Sequence, residues 1–254
     1  MGPLSVTMDG EFPRAALPIA APRVDLFPST HLTSLLNDLR TVFDAAGVGA
    51  CSAIHRRLAE QVMARYAAPL EAYAKGSPLR DIAEPAELVH GFFAMALSDP
   101  EYFNRYQSSG MRLRRWLMNG LLLHARSVAR DRARAARREG ASIDLIATPH
   151  AVDPSAEQAF DRAWALALLS EACASVEGAL LAEGRDRAWT VFRRHAIDGR
   201  SYAELEAELG LGRQQMADLV RSVTRRVRAR IIELLESEGG DAAEELRDVI
   251  RLVS

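Results

Sequence analysis

The sequence predicts an all-α fold, and three observations predict it. Leu, Ala, Arg and Glu dominate, and aromatic residues make up only 6% of the 254 residues. No window alternates apolar and polar residues with the period of two that a half-buried strand needs. Apolar residues return instead at every third and fourth position, the spacing of one helix face. Residues 201–231, SYAELEAELGLGRQQMADLVRSVTRRVRARI, are the plainest case. They parse as a short helix over 202–209, a tight turn at Gly210, Leu211 and Gly212, and a longer helix from Arg213 onward. In the second helix Met216, Leu219, Val220, Val223, Val227, Ile231 and Leu234 form an apolar stripe. Gln214, Asp218, Arg221, Arg225 and Arg228 fall on the opposite face, because steps of three and four return to one side of a helix.

Composition narrows the class further. With 48% apolar residues the chain can bury a real core, and its length fits one or two domains. The formal net charge of -2 hides a segregation of sign. Residues 111–138 hold nine Arg and one Asp, whereas residues 233–248 hold seven acids and one Arg. Local fields of this kind, rather than the sum, govern contact with phosphate. The two cysteines, Cys51 and Cys173, and the six scattered histidines have no metal-ligand spacing. No paired carboxylates, nucleophile with base or phosphate loop emerges, so neither an enzyme nor a bound cofactor is expected. No apolar run approaching about 18 residues is evident, and no secretion signal, so a cytoplasmic protein without membrane insertion is expected.

Taken in order, residues 1–29 carry Pro3, Pro13, Pro18, Pro22 and Pro28 without periodicity and read as a disordered tail. Ser29 or Thr30 can then cap a helix, HLTSLLNDLRTVFDAA. A second helix is expected over 53–73, with Ile54, Leu58, Val62 and Tyr66 on one face and a kink at Pro69. Glu84 and Pro85 open a third helix, AELVHGFFAMAL. The segment DPEYFNRYQSSGM reads as a loop or broken turn. After it comes RLRRWLMNGLLLHARSVARDRARAARR, with Leu113, Trp116, Leu117, Leu121, His124 and Val128 on one face and Arg112, Arg115, Asn119, Arg126, Arg130 and Arg137 on the other. Solvated Arg faces usually interleave Glu at i+4. Here almost no acid is present on the helix, which points to an external polyanion.

Residues 140–155, with Pro149 and Pro154, read as a flexible linker. Beyond it EQAFDRAWALALLSEACASVEGALLAEG is a helix leading into the helix-turn-helix stretch. The acidic end closes with an amphipathic helix whose apolar side is Leu246, Ile250 and Val253. A helix-turn-helix presents the start of its second helix to a DNA major groove, where Arg forks onto guanine and Gln onto adenine. The competing explanation is an ordinary amphipathic helix whose charges face water.

The ordered series resembles a bacterial RNA polymerase sigma factor of the extracytoplasmic-function type. The stretch from Glu84, EPAELVHGFF, resembles the region 2.2 pattern that binds a coiled coil on the polymerase β′ subunit. RLRRWL from Arg112 and the Arg-rich tract resemble the helix that melts and reads the −10 element. FDRAWALALL from Phe160 and SYAEL from Ser201 resemble region 4, which reads the −35 element. The likeness implies a helical region 2-like module over 30–139 and a region 4-like module over 156–236, with an acidic tail over 237–254. It implies as partners core RNA polymerase, through the β′ coiled coil and the β flap, and promoter DNA, and allows an anti-sigma factor.

By residue, the resemblance assigns Glu84, Glu87, Leu88, His90, Phe92 and Phe93 to polymerase binding. Asn104, Arg105, Tyr106, Arg112, Arg115, Trp116, Asn119, Arg126 and Arg130 fall to the −10 element. Arg213, Gln214, Gln215, Asp218, Arg221, Arg225 and Arg228 fall to the −35 element. Departures from the pattern are Gly212 for Ser at the helix start, Leu123 and Ser127 for Asn and Asp, and His90 for Gln. Two other classes compete. A DNA-binding regulator that needs no polymerase would bind duplex alone; a sigma-like interaction module that titrates a partner would have lost DNA reading.

Overall fold

Two long helices with broad apolar faces carry the architecture, and the shorter ones fill in around them. The structure is a computed structural model that describes residues 48–99, 101–138, 154–236 and 242–253. The N-terminal tail, the helix expected after Ser29 or Thr30, residue 139, and residues 140–153 of the expected linker lie outside the described residues. The fold is all-α, with no strand among the described residues.

Helix α1, Val48–Gly76, is longer than the 53–73 expected and runs through Pro69. A proline inside a helix costs about 3 kcal/mol, since it removes a donor and crowds the preceding turn. Burial of Val62, Tyr66, Leu70, Tyr73 and Ala74 along one face offsets that cost. Ser77 ends α1 and opens a short 3-10 turn, Pro78–Asp81, donating to the Ala74 carbonyl and accepting from the Leu79 amide. Helix α2, Pro85–Ser98, begins on Pro85 as expected and buries Leu88, Val89, Phe92, Phe93 and Ala96.

The segment read as a loop is helical: Tyr102–Ser109 forms α3. Tyr102, Phe103 and Tyr106 sit at helical spacing and are all buried, so packing overrides the amide-rich, turn-like composition that suggested a loop. Gly110, with φ 68°, closes α3 in the left-handed region. Helix α4, Leu113–Arg138, packs against α2. Its Gly120 permits the approach, because a Cβ there would meet Phe92 Cε2 at 2.7 Å and also strike the Tyr102 hydroxyl.

Helix α5, Pro154–Ala182, starts within the expected linker and packs along α1 more extensively than any other pair of elements. Tyr66 stacks on Phe160 with ring centroids 6.4 Å apart. By length and mean hydropathy, 1.5 over its most apolar window, α5 is long and apolar enough to cross a membrane, a feature missed because Glu171 and Glu177 interrupt the run. Here it is the central helix, with Phe160, Trp164, Leu168 and Leu180 fully buried.

Helix α6, Asp186–Phe192, continues into a π turn, Arg193–Ile197, and is followed by α7, Tyr202–Leu209, and α8, Arg213–Glu236. Val223, Val227, Ile231, Leu234 and Leu235 of α8 enter the same core as α1 to α5. The two modules drawn from the sequence thus share one continuous core in the described residues. Helix α9, Ala242–Val253, lies on α5 and α8, burying Leu246 and Val249. The expected apolar side included Leu246; Ile250 and Val253 are only partly buried at its edge.

Candidate nucleic-acid interface

Local chemistry explains why the helix-turn-helix forms where it does. The Ser201 hydroxyl accepts from the Glu204 amide at 3.3 Å, while the Glu204 carboxylate accepts from the Ser201 amide at 2.8 Å. This reciprocal cap satisfies two donors that the start of α7 would otherwise leave open. Donation from the Ser201 amide, and next from the Ser201 hydroxyl at 2.9 Å, holds the Glu204 carboxyl below the usual carboxylate range. Glu208 is held low in the same way, first by Arg200 and then by Arg194. Gly210, at φ 62° and ψ 29°, turns the chain in a conformation that favours glycine. Leu211 is buried with Val191, Leu205 and Met216 in a small cluster that pins the turn.

This frame decides which face of α8 points outward. Met216, Val223 and Val227 are buried, whereas Arg213, Gln214, Gln215, Asp218, Arg221, Arg225 and Arg228 are all exposed. All seven residues expected to read DNA are therefore accessible, and Gln214, Asp218, Arg221, Arg225 and Arg228 share one helical face. Asp218 is bracketed on it: Arg221 bonds one carboxylate oxygen, and Gln214 Nε2 donates to the same oxygen at 3.4 Å. Two other arginines of α8 are engaged in ion pairs within the protein. Arg226 pairs with Glu183 at 2.7 Å, and Arg230 with Glu233 at 2.9 Å.

The α4 face differs from expectation. The acids missing from the helix itself arrive from elsewhere in the fold. Arg112 pairs with Glu245 of α9 at 3.3 Å, Arg114 with Asp161 of α5 at 4.0 Å, and Arg115 with Glu157 of α5. Arg114 also lies over the Trp164 ring, 4.9 Å from its centroid. An i+4 rule inspects only one helix and cannot see partners that tertiary packing supplies. Beyond this cluster Arg130, Arg137 and Arg138 are exposed, and Arg126 and Asn119 are half-buried. Leu123 is 62% exposed between Asn119 and Arg126, an apolar side chain on the polar face. It was noticed in the sequence only as a departure from a pattern.

The aromatic residues assigned to the −10 element turn inward. Tyr106 is buried, and Trp116 packs against it and Tyr102 with centroids 6.2 and 5.6 Å apart. Tyr102 in turn meets Phe103 edge-on at 5.4 Å. These rings fill the core between α2, α3 and α4, where burial removes their apolar surface from water. Arg105 is exposed and ion-paired to Asp99. Asn104 lies on α3, with its side chain outside the described ones.

The polymerase assignment divides similarly. Glu84, Glu87 and His90 are exposed along one edge of α2. Leu88, Phe92 and Phe93 are at most 2% exposed and serve the core, since they form the one apolar stripe this helix has. Met95, 40% exposed, continues the outer edge and was not singled out from the sequence.

No group of three or more His, Cys, Asp or Glu among the described residues is arranged to hold a metal ion. Burial, with a smaller effect of Glu177, pushes the Cys173 thiol up to about 12, which leaves it a poor nucleophile. A cleft of about 350 Å³ beside the arginines is lined by Met111, Arg112, Arg114, Arg115, Met118, Glu157 and Asp161. Burial raises the Asp161 pKa within it, against the opposing pull of Arg114. The fold and surface define an all-α chain with an exposed, Gln- and Arg-bearing second helix of a helix-turn-helix. Compared with protein-family models, curated proteins and solved structures, the chain matches none.

Proposed function

We propose that this chain is a sigma-type promoter-recognition subunit: it binds core RNA polymerase and reads duplex DNA through α8. The observation that carries this is the outward face of α8, where Gln214, Gln215, Asp218, Arg221, Arg225 and Arg228 are exposed together above a capped helix and a glycine turn. Residues in the first turns of such a helix meet base edges, and those farther along meet phosphate. The exposed edge Glu84, Glu87 and His90 of α2 offers the surface for polymerase. The polymerase performs the chemistry, and this chain supplies position and sequence preference.

The test is run-off transcription with purified core polymerase from templates carrying a randomised upstream element. Wild-type chain is expected to start transcripts from a defined subset. Gln214→Ala and Arg221→Ala should each relax preference at one or two base pairs, at about 1–3 kcal/mol. Arg225→Ala should weaken all templates alike. Failure to stimulate core on any template rejects the proposal. A regulator acting without polymerase would use the same α8 surface; sequence-specific duplex binding by the chain alone, with no effect on core, would favour that reading.

A further inference from the structure

We propose that Arg112, Arg114 and Arg115 form a phosphate-binding surface for a nucleic-acid strand, and that the chain occupies it with its own carboxylates until a strand displaces them. The inference rests on the nucleic-acid reading above and concerns how α4 is regulated. Three acids converge on Arg112, just before α4, and on Arg114 and Arg115 of its first turn, and they come from two other elements: Glu157 and Asp161 from α5, Glu245 from α9. A carboxylate and a phosphate present the same kind of acceptor to a guanidinium, so each acid stands where a phosphate oxygen would bind.

Two further features separate this cluster from an ordinary structural ion-pair network. Each pair has at least one side chain open to water: Arg115 and Glu157 are 47% and 34% exposed, Arg112 is 43% exposed against an enclosed Glu245 at 4%, and Asp161 is 37% exposed against Arg114 at 17%. A pair as wet as Arg115 and Glu157 contributes little net stability and yields to a denser line of charge. The three arginines, Glu157 and Asp161 also line an open cleft of about 350 Å³ together with Met111 and Met118. The third acid rides on α9, a 12-residue helix too short to persist alone. It stays docked through Leu246 and Val249, and its Glu245 is 3% exposed against Arg112. Undocking α9 therefore takes the Glu245 carboxylate away from Arg112 in one movement. Along α4 the exposed Arg130 lies about 22 Å from Arg115 at 1.5 Å per residue, so a strand held there can run on into the cluster.

The experiment measures binding of the full chain to a labelled single-stranded DNA oligomer by fluorescence anisotropy over a salt series. The variant is Glu157→Gln, Asp161→Asn and Glu245→Gln together. A control, Glu60→Gln, Asp81→Asn and Asp198→Asn, makes the same change in net charge at exposed positions outside the cluster. The cluster variant should bind about ten-fold more tightly than the control. Its slope of log affinity against log salt should steepen by about 0.7 for each arginine released, or about 2 for all three. Adding Arg112→Gln, Arg114→Gln and Arg115→Gln should cancel the gain. An affinity and slope no different from the control overturn the inference, as does a gain that survives loss of the three arginines. Should the cluster variant not fold by circular dichroism, Glu245→Gln alone must steepen the slope by about 0.7, and no change rejects the idea. Because this readout needs no polymerase, it can fail while run-off transcription succeeds, and the reverse.

Discussion

Arg65 of α1 reaches Glu171 of α5 across 106 residues of sequence, its Nε and Nη2 donating to the two carboxylate oxygens at 2.9 and 2.8 Å. The pair sits on the contact between the two longest helices, with the Arg65 side chain only 11% exposed. It links the halves on either side of residues 139–153 by a fork geometry that only one relative placement of the helices satisfies. A double-mutant cycle with Arg65→Ala and Glu171→Ala should return a coupling of about 1 kcal/mol, above the usual surface pair. Additive losses in denaturant unfolding would mean that the helices are held by their apolar faces alone. Since the core is continuous, unfolding should also be a single transition whether followed by far-ultraviolet circular dichroism or tryptophan fluorescence.

Gly120→Ala is expected to destabilise, although alanine is the better helix former by about 1 kcal/mol. The new Cβ would stand 2.7 Å from Phe92 Cε2, and both Phe92 and Tyr102 are held by neighbouring rings. Overpacking of this kind costs about 1–3 kcal/mol. The urea midpoint should fall with an unchanged slope; an equal or higher midpoint would show that the rings can move aside.

Acid should weaken the helix-turn-helix first. Glu204 and Glu208 have folded pKa values below the ordinary range, through Ser201 for the one and Arg200 and Arg194 for the other. A depressed carboxyl pKa contributes stability that is fully present above the unfolded value of about 4.3 and is lost as pH falls through the folded value. Glu204→Gln and Glu208→Gln together should lower the thermal midpoint at neutral pH and flatten its decline below about pH 4.3. A decline as steep as that of the wild type would place the acid sensitivity elsewhere.

Asp218→Ala should strengthen non-specific duplex binding while narrowing the range of sequences discriminated. The carboxylate now engages Arg221 and Gln214, and it would repel nearby phosphate. Its removal frees Arg221 for the groove but discards an acceptor suited to a cytosine amino group. Competition binding with random and selected duplexes measures both effects. Unchanged affinity for random duplex would mean that Arg221 stays off the DNA with or without its partner.

The sequence by itself determined the fold class and the helix-turn-helix. These rest on local physics: periodic apolar residues, the Ser201 and Glu204 pair, and glycines where the chain must turn. The outward face of α8 was legible for the same reason, since a strong apolar stripe leaves only one side for Gln214, Arg221 and Arg225. Long-range packing decided the rest. The loop before α4 became a helix because Tyr102, Phe103 and Tyr106 found a common core with Phe92 and Trp116. Phe92 and Phe93 proved structural because α2 has a single apolar face to bury. The arginines opening α4 gained Glu157, Asp161 and Glu245, which lie 42 or more residues away and which no inspection of their own helix could find. Charge partners and burial are properties of proximity in space, and sequence spacing reports proximity only within a single element.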